Sequence, residues 1–315
     1  MIHYFYQHPH RYTVDRHLDW LGKPLESVFQ LQSYAELFRA RSIRAGSCIF
    51  SDLERLTPAE AEQASRIRKT IKKSGQGAIM LNDPTRTMRR YELLRTLYEK
   101  GINQFNVYRV VESRLPERYP VFIRNENDHR GNRTPLLNNE GELQAAITEL
   151  ERKGRSRESM LIVEFLDTAD ETGVYRKYSY FMIAGKLIPR HLFLSNNWLL
   201  KRPDILDTNA LAEERQFVES TPFLQEIHNI FRIARVDYGR IDFALYKDRV
   251  QVWEINTNPQ ITGRDDRGIE FRGDVQRQFA EQYHRLLMEI HGEPGCRVPL
   301  RINAGKKTFL QKIFN

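Results

Sequence analysis

Four residues late in the chain could do chemistry together: Asp242, Glu254, Asn256 and Asn258. They lie in the stretch VDYGRIDFALYKDRVQVWEINTNPQI, from Val236 to Ile261. Gly239 to Tyr246 alternates and is rich in β-branched and aromatic residues, Lys247 and Asp248 supply a turn, and Arg249 to Ile255 runs back. That pattern predicts a β-hairpin. Asp242 stands between Ile241 and Phe243, where an apolar neighbourhood is expected, and antiparallel pairing can bring it beside Glu254 and Asn256. Two carboxylates and an amide oxygen crowded on one sheet repel unless a cation neutralises them. A hard divalent ion that stays partly hydrated and shares phosphate oxygens suits such a set. The alternative is an ordinary hairpin with its acids in water, which the flanking Ile, Phe, Val and Trp disfavour.

D-x-A on one strand, followed by W-E-I-N-T-N-P on the next, resembles the metal-binding end of the ATP-grasp fold. The resemblance implies an α/β chain with a small Rossmann-like N-terminal domain and two α+β subdomains that clamp ATP. It implies that Asp242, Glu254 and Asn256 hold Mg²⁺, with Mn²⁺ as an alternative, against the ATP phosphates, and that Asn258 lies near the acceptor substrate. The activity implied is a carboxylate–amine ligase working through an acyl phosphate. A kinase of the same fold is the runner-up, and a non-catalytic nucleotide or nucleic-acid binder stands behind both.

The rest of the chain has to position that hairpin. Its 315 residues are enough for two or three subdomains with cores of their own, and 40% hydrophobic with 29% charged residues describes a folded, soluble class. No apolar run approaches the ~20 residues of a membrane span. The start, MIHYFYQHPH, lacks the pattern of a signal peptide, and Cys48 and Cys296 show no metal spacing. A reducing cytoplasm is therefore the expectation. The net charge of +8 suits nucleic acid or polyanionic ATP with an acidic second substrate. The basic residues are spread out and carry no nucleic-acid-binding signature, which makes nucleic acid the weaker partner. His3, His8, His10 and His17 fit no compact ligand set.

Ile2–Tyr6 reads as a strand and Tyr34–Arg41 as helical. Ser47–Ser51 is a strand, a helix starts at Thr57-Pro58 and stops at Gly75, Ala78–Leu81 is a strand, Thr87–Lys100 is a helix, and Phe105–Val110 is the next strand. Alternating strands and helices predict an open parallel α/β domain, with the Asn82-Asp83-Pro84 turn at a ligand-binding sheet end. The boundaries expected are residues 1–103, 104–165, 166–292 and a basic tail, 293–315.

The resemblance extends in element order over residues 80–262. Tyr119–Arg124 reads as a strand ending in a cation, where the family has Lys, followed by a polar run to Thr134 with one glycine, Gly131. Arg124, Asn125, His129 and Arg130 are thereby implied as phosphate contacts. MLIVEFL, Met160 to Leu166, matches the adenine hinge, so that Glu164, Phe165 and Leu166 frame the base and Asp167 or Asp170 reaches the ribose. Gly173–Arg190 reads as a second hairpin with an Ala-Gly turn. The family places cations at both ends of this hairpin, which implies Arg176 and Arg190 as catalytic, with Lys177 next and His191 near the substrate. A like-charge pair across a hairpin is costly unless an anion lies between. Trp198 and Lys201, in a loop, are placed to line the cleft. The partners implied are ATP, a small-molecule or peptide carboxylate and an amine acceptor, with no membrane and with a homodimer as one expectation.

Overall fold

The computed structural model describes residues 1–74, 77–127, 131–263, 269–293 and 295–300. Strand β1 (Ile2–Tyr6) is buried at all five positions, as its aromatic sequence requires of a central strand. Helix α1 (Tyr12–Leu18) and β2 (Phe29–Ser33) follow. Ser33 ends that strand and caps α2 (Tyr34–Arg39) through a reciprocal box with Glu36. After β3 (Ser42–Arg44) and β4 (Ser47–Phe50), Thr57 and Glu60 form a second capping box, with Pro58 as the first residue of α3 (Pro58–Ser74). Strand β5 (Met80–Leu81) completes a four-stranded parallel sheet of order β2-β1-β4-β5.

Next come α4 (Arg90–Glu99), β6 (Val107–Arg109), β7 (Val121–Asn125), α5 (Glu140–Arg152) and β8 (Met160–Glu164). These strands form a separate antiparallel sheet, β6-β8-β7. The strand expected at Phe105–Val110 is therefore shorter than expected and is not part of the parallel sheet. The cause lies just before it. Asn103 exchanges hydrogen bonds of 3.0 and 2.9 Å with the backbone of Val252, which carries the chain away from β5.

The third sheet holds both hairpins. Strands β9 (Tyr175–Ile183) and β10 (Lys186–Ser195) precede helices α6 (Thr208–Ser220) and α7 (Leu224–Ala234). Strands β11 (Tyr238–Tyr246) and β12 (Arg249–Asn256) follow, and the order is β10-β9-β11-β12, antiparallel throughout. Both turns, Ala184-Gly185 and Lys247-Asp248, have two left-handed residues, the geometry that matches strand twist. One face packs Ile241, Phe243 and Val252 against Phe217, Ile230 and Phe231 of the two helices. Helix α8 (Ile269–Ile290) packs Phe279 and Tyr283 on Phe181, and β13 (Arg297–Pro299) pairs with β3.

The Asn82 turn is a joint, in place of the ligand loop expected there. Asn82 is fully buried at φ 62°, and its amide donates to the carbonyls of Phe50 and Tyr238 at 3.0 and 2.9 Å. Its side-chain oxygen accepts from Asp237 N and Tyr238 N at 2.8 and 3.0 Å. All four hydrogen-bonding valences of the side chain are thus spent on locking the parallel sheet to the start of β11. Part of the tail, residues 301–315, lies outside the described residues.

Candidate active site

Strand β11 places Asp242 directly opposite Glu254 and Arg240 opposite Asn256. The register shifts between Asp242 and Phe243, so β12 carries an extra residue there. Such a bulge re-aims side chains, and here the consecutive residues Trp253 and Glu254 both line one cavity. Close approach at the far end needs a glycine: a Cβ on Gly239 would lie 2.8 Å from the Asn256 carbonyl oxygen.

The acids are not bare. Asp242 accepts from Arg240 Nε and Nη2 at 2.7 and 2.9 Å and from Ser179 Oγ at 2.8 Å. Glu254 Oε2 accepts from both Arg90 and Arg124, the latter at 2.9 Å. Sequence reasoning held that only a bound cation could neutralise this cluster; three guanidinium groups do so within the protein. Asn256 Oδ1 accepts from Asn258 N at 2.9 Å. Among the described residues no group of three His, Cys, Asp or Glu is gathered for a metal. The candidate set is two carboxylates and an amide oxygen, all lining the same cleft. Their hard-oxygen chemistry fits Mg²⁺ where phosphate oxygens take over the arginines.

That cleft, of about 310 Å³, lies between the two antiparallel sheets. Its apolar side is Phe122, Phe165, Leu166, Trp198 and Trp253, and Trp198 packs its ring against both Phe122 and Phe165 at 5.2 and 5.3 Å. Its polar side brings Arg124, Lys177 and Lys201 towards the acids. Burial pushes the Lys177 ammonium below its usual range, Asp242 and Glu254 working against that shift. Gly131 lines the cleft at φ 90°, a left-handed conformation that gives the glycine in the polar run its reason.

A second cavity, of about 840 Å³, adjoins the first and shares Lys177, Lys201, Arg240 and Asn256 with it. Arg190 and His191 line only this second space. Neighbours on a strand normally face opposite ways. A register shift between Pro189 and His191 turns both inward, and Pro189, which cannot donate to the ladder, sits at that irregularity. Ser179 Oγ donates to Asp242, so His191 Nε2, 2.8 Å away, carries the proton that Ser179 accepts. Its Nδ1 is then a buried acceptor without a partner among the described residues. Burial, together with Arg240, Arg190, Arg272 and Lys177, keeps this imidazole neutral, well below the usual histidine range.

The structure thus brings Arg124, Phe165, Leu166, Arg176, Lys177, Asp242, Glu254 and Asn256 to the first cavity. It does not bring Glu164 there. That carboxylate is buried behind the strand, accepting from Asn106 N, Tyr108 and Arg118 at 2.9–3.0 Å. Asp167 caps Ala169 N, and Asp170 closes its own loop and pairs with Arg176; neither lines the cleft. Asn125 lies beside the cleft, not on its wall, with its carbonyl bonded to Arg90. His129 and Arg130 lie outside the described residues. Arg176 and Arg190, expected together over the phosphates, are divided between the two cavities, and Arg176 is tied to Glu213 at 2.6 Å. Asn258 lines the second cavity, but its side chain already bonds Tyr4, Thr13 and His10 O.

Two residues of the cluster escaped sequence reasoning. Arg240 was legible, since it stands two positions before Asp242 and so shares its face. Arg90 was not: it opens a helix far from the hairpin and reads as surface charge.

No protein-family model matches the chain, and no curated protein does. Solved structures do. A D-alanine–D-alanine ligase from Helicobacter pylori is 13% identical, with 91% of this chain and 97% of that one covered and a TM-score of 0.49. The D-alanine–D-alanine ligase from Bacillus anthracis complexed with ATP is 10% identical, covering 92% and 97%, with a TM-score of 0.47. A RimK domain ATP-grasp protein from Sphaerobacter thermophilus is 12% identical, covering 89% and 98%, with a TM-score of 0.45. The described residues form an α/β fold, and these structures are what the chain is similar to. Identities this low say nothing of chemistry, which has to come from the two cavities. No helix among the described residues is long and apolar enough to cross a membrane.

Proposed function

We propose that this chain is an ATP- and Mg²⁺-dependent ligase that joins a carboxylate to an amine through an acyl phosphate, releasing ADP and phosphate. The observation that carries the reading is the shared border. An aromatic slot with cations and three oxygen donors opens, at Lys177, Arg240 and Asn256, onto a separate basic cavity. Phe165, Leu166 and Trp198 form the side that takes a purine, and Arg124, Lys177 and Lys201 lie where the phosphates then extend. Asp242, Glu254 and Asn256 would hold the metal, which when bound offsets phosphate charge and aligns the γ-phosphoryl group.

The carboxylate substrate occupies the second cavity with its reacting oxygen at the border. That oxygen attacks the γ-phosphorus in line, the bond to the β,γ-bridging oxygen breaks, and ADP leaves. The amine then attacks the acyl carbon, phosphate leaves, and the nitrogen gives up one proton. Lys177 and Arg240 hold the charge that develops on the transferring group. Little acid–base chemistry is required, since holding reactants in line supplies much of the acceleration. Both cysteines are unpaired, which fits a cytoplasmic enzyme.

The test is trapping. Purified protein with Mg–ATP, a panel of carboxylic acids and hydroxylamine should yield ADP and the matching hydroxamate. A kinase acting on a hydroxyl yields ADP and a stable phosphate ester but no hydroxamate, and that outcome would overturn the ligase reading.

A further inference from the structure

The second cavity is larger than one carboxylate needs, and its charge is one-sided. Among the described residues, six arginines and two lysines line it against a single acid, Asp19. Some of these cations are already balanced: Arg55 by Asp52, Arg240 by Asp242, and Arg272 by Glu214 at 2.7 Å. Others make no ion pair with a carboxylate among the described residues. Arg16 donates to the Gln260 side chain at 2.9 Å, and Lys177 to the Leu200 carbonyl at 2.7 Å.

Arg190 is the informative one. It is 7% exposed, its Nε donates to the Ile261 carbonyl at 2.9 Å, and its plane lies over the Phe279 ring. Nη2 reaches Gln276 at 3.4 Å, and Nη1 is buried with no partner among the described residues. Burial, with Arg272 and Arg240 nearby, disfavours this guanidinium, and Glu214 and Asp242, already paired with those two arginines, offset only part of the cost. The bulge at Pro189 nevertheless directs it into the cavity. The reacting carboxylate does not meet that need, because it must sit at the border beside Lys177 and Arg240, whereas Arg190 does not line the nucleotide cleft.

We propose that the carboxylate substrate carries a second anionic group, a carboxylate or a phosphate, and that Arg190 is the residue that receives it. This rests on the ligase reading for the position of the first carboxylate. The second group completes the guanidinium's fork, and a charge-assisted pair of this kind separates a dianion from a monoanion by about tenfold or more.

Calorimetry tests it with three probes, each titrated into the full chain with Mg²⁺ and a non-hydrolysable ATP analogue. Butyrate is the monoanion, glutarate offers a second carboxylate, and 3-phosphoglycerate offers a phosphate. At least one dianion should bind about tenfold tighter than butyrate, and which one does so identifies the group. Arg190→Gln should bring the three within about threefold, and Arg190→Lys should restore part of the difference. Equal binding of all three, no binding by any, or full discrimination in Arg190→Gln would overturn the proposal. The nucleotide titration in the same experiment separates failures. Retained nucleotide binding with no dianion preference removes this inference alone, whereas lost nucleotide binding removes the ligase reading beneath it.

Discussion

The two cavities share Lys177, Lys201, Arg240 and Asn256, yet they treat charge differently. In the first cavity each arginine meets an acid: Arg124 meets Glu254, Arg176 meets Glu213 and Asp170, and Arg240 meets Asp242. In the second cavity Arg190 and Arg16 make no ion pair with an acid among the described residues. A self-neutralised site suits a ligand that arrives with its own counter-charge, as ATP does with a divalent metal. A site left positive suits an anion arriving alone. The contrast also gives each β-bulge a purpose, since one turns Trp253 and Glu254 into the first cavity and the other turns Arg190 and His191 into the second.

The largest effect should come from breaking the balance in the first cavity. Asp242→Asn removes an expected metal ligand and the partner of Arg240, and substrate-dependent ADP release should fall by about 100-fold or more. A loss below about threefold would mean that Asp242 only positions Arg240. The apolar side is tested by Trp198→Ala, which should weaken nucleotide binding about tenfold, the scale of one base–aromatic contact, while leaving glutarate affinity within about twofold. Equal losses for both ligands in a calorimetric titration would show that the cavities are not separable.

A smaller effect distinguishes them by pH. Burial, reinforced by Arg272 and Arg240 and opposed by Glu214 and Asp242, brings the Arg190 guanidinium down to about 9. His17 faces it too, and burial lowers that imidazole to about 3, so it is neutral throughout the range of interest. Above about pH 9 the lowering at Arg190 should begin to show, with anion binding there taking up a proton. Glutarate affinity should fall with rising pH there, by up to about tenfold per unit. In Arg190→Gln binding should be weak and nearly flat between pH 8 and 10, and an unchanged slope would assign the effect to another group.

Least visible in activity is the joint. Asn82→Ala removes four buried hydrogen bonds and puts alanine at a left-handed φ. It should cost about 2–4 kcal/mol in denaturant unfolding while leaving the ratio of glutarate to butyrate affinity unchanged. A shifted ratio would mean that the cavity's preference depends on how the sheets are joined.

What could be read in advance followed local rules. The hairpin β11–β12 was legible because alternation, turn and acid placement all lie within 26 residues, and the capping box at Thr57 was legible for the same reason. Asn82 was misread because Asn-Asp-Pro has the same local look as a loop end or as a joint; only the distant partners Asp237 and Tyr238 decide. Strand β6 was assigned to the wrong sheet because the Asn103–Val252 link spans 149 residues. Glu164 looked like an adenine contact because sequence order fixes its position along β8 but not which side its carboxylate faces. The division between Arg176 and Arg190 was hidden too, although Pro189 inside a strand pattern was a visible cue to the bulge.

The central claim is that the first cavity binds a nucleotide through a metal held at the β11–β12 hairpin. Calorimetric titration of a non-hydrolysable ATP analogue, with and without Mg²⁺, into wild type and Glu254→Gln tests it most directly. Binding that depends on Mg²⁺ in wild type and loses most of that dependence in Glu254→Gln is the predicted result. No nucleotide binding by wild type, or binding equally strong without metal and in the variant, would contradict it.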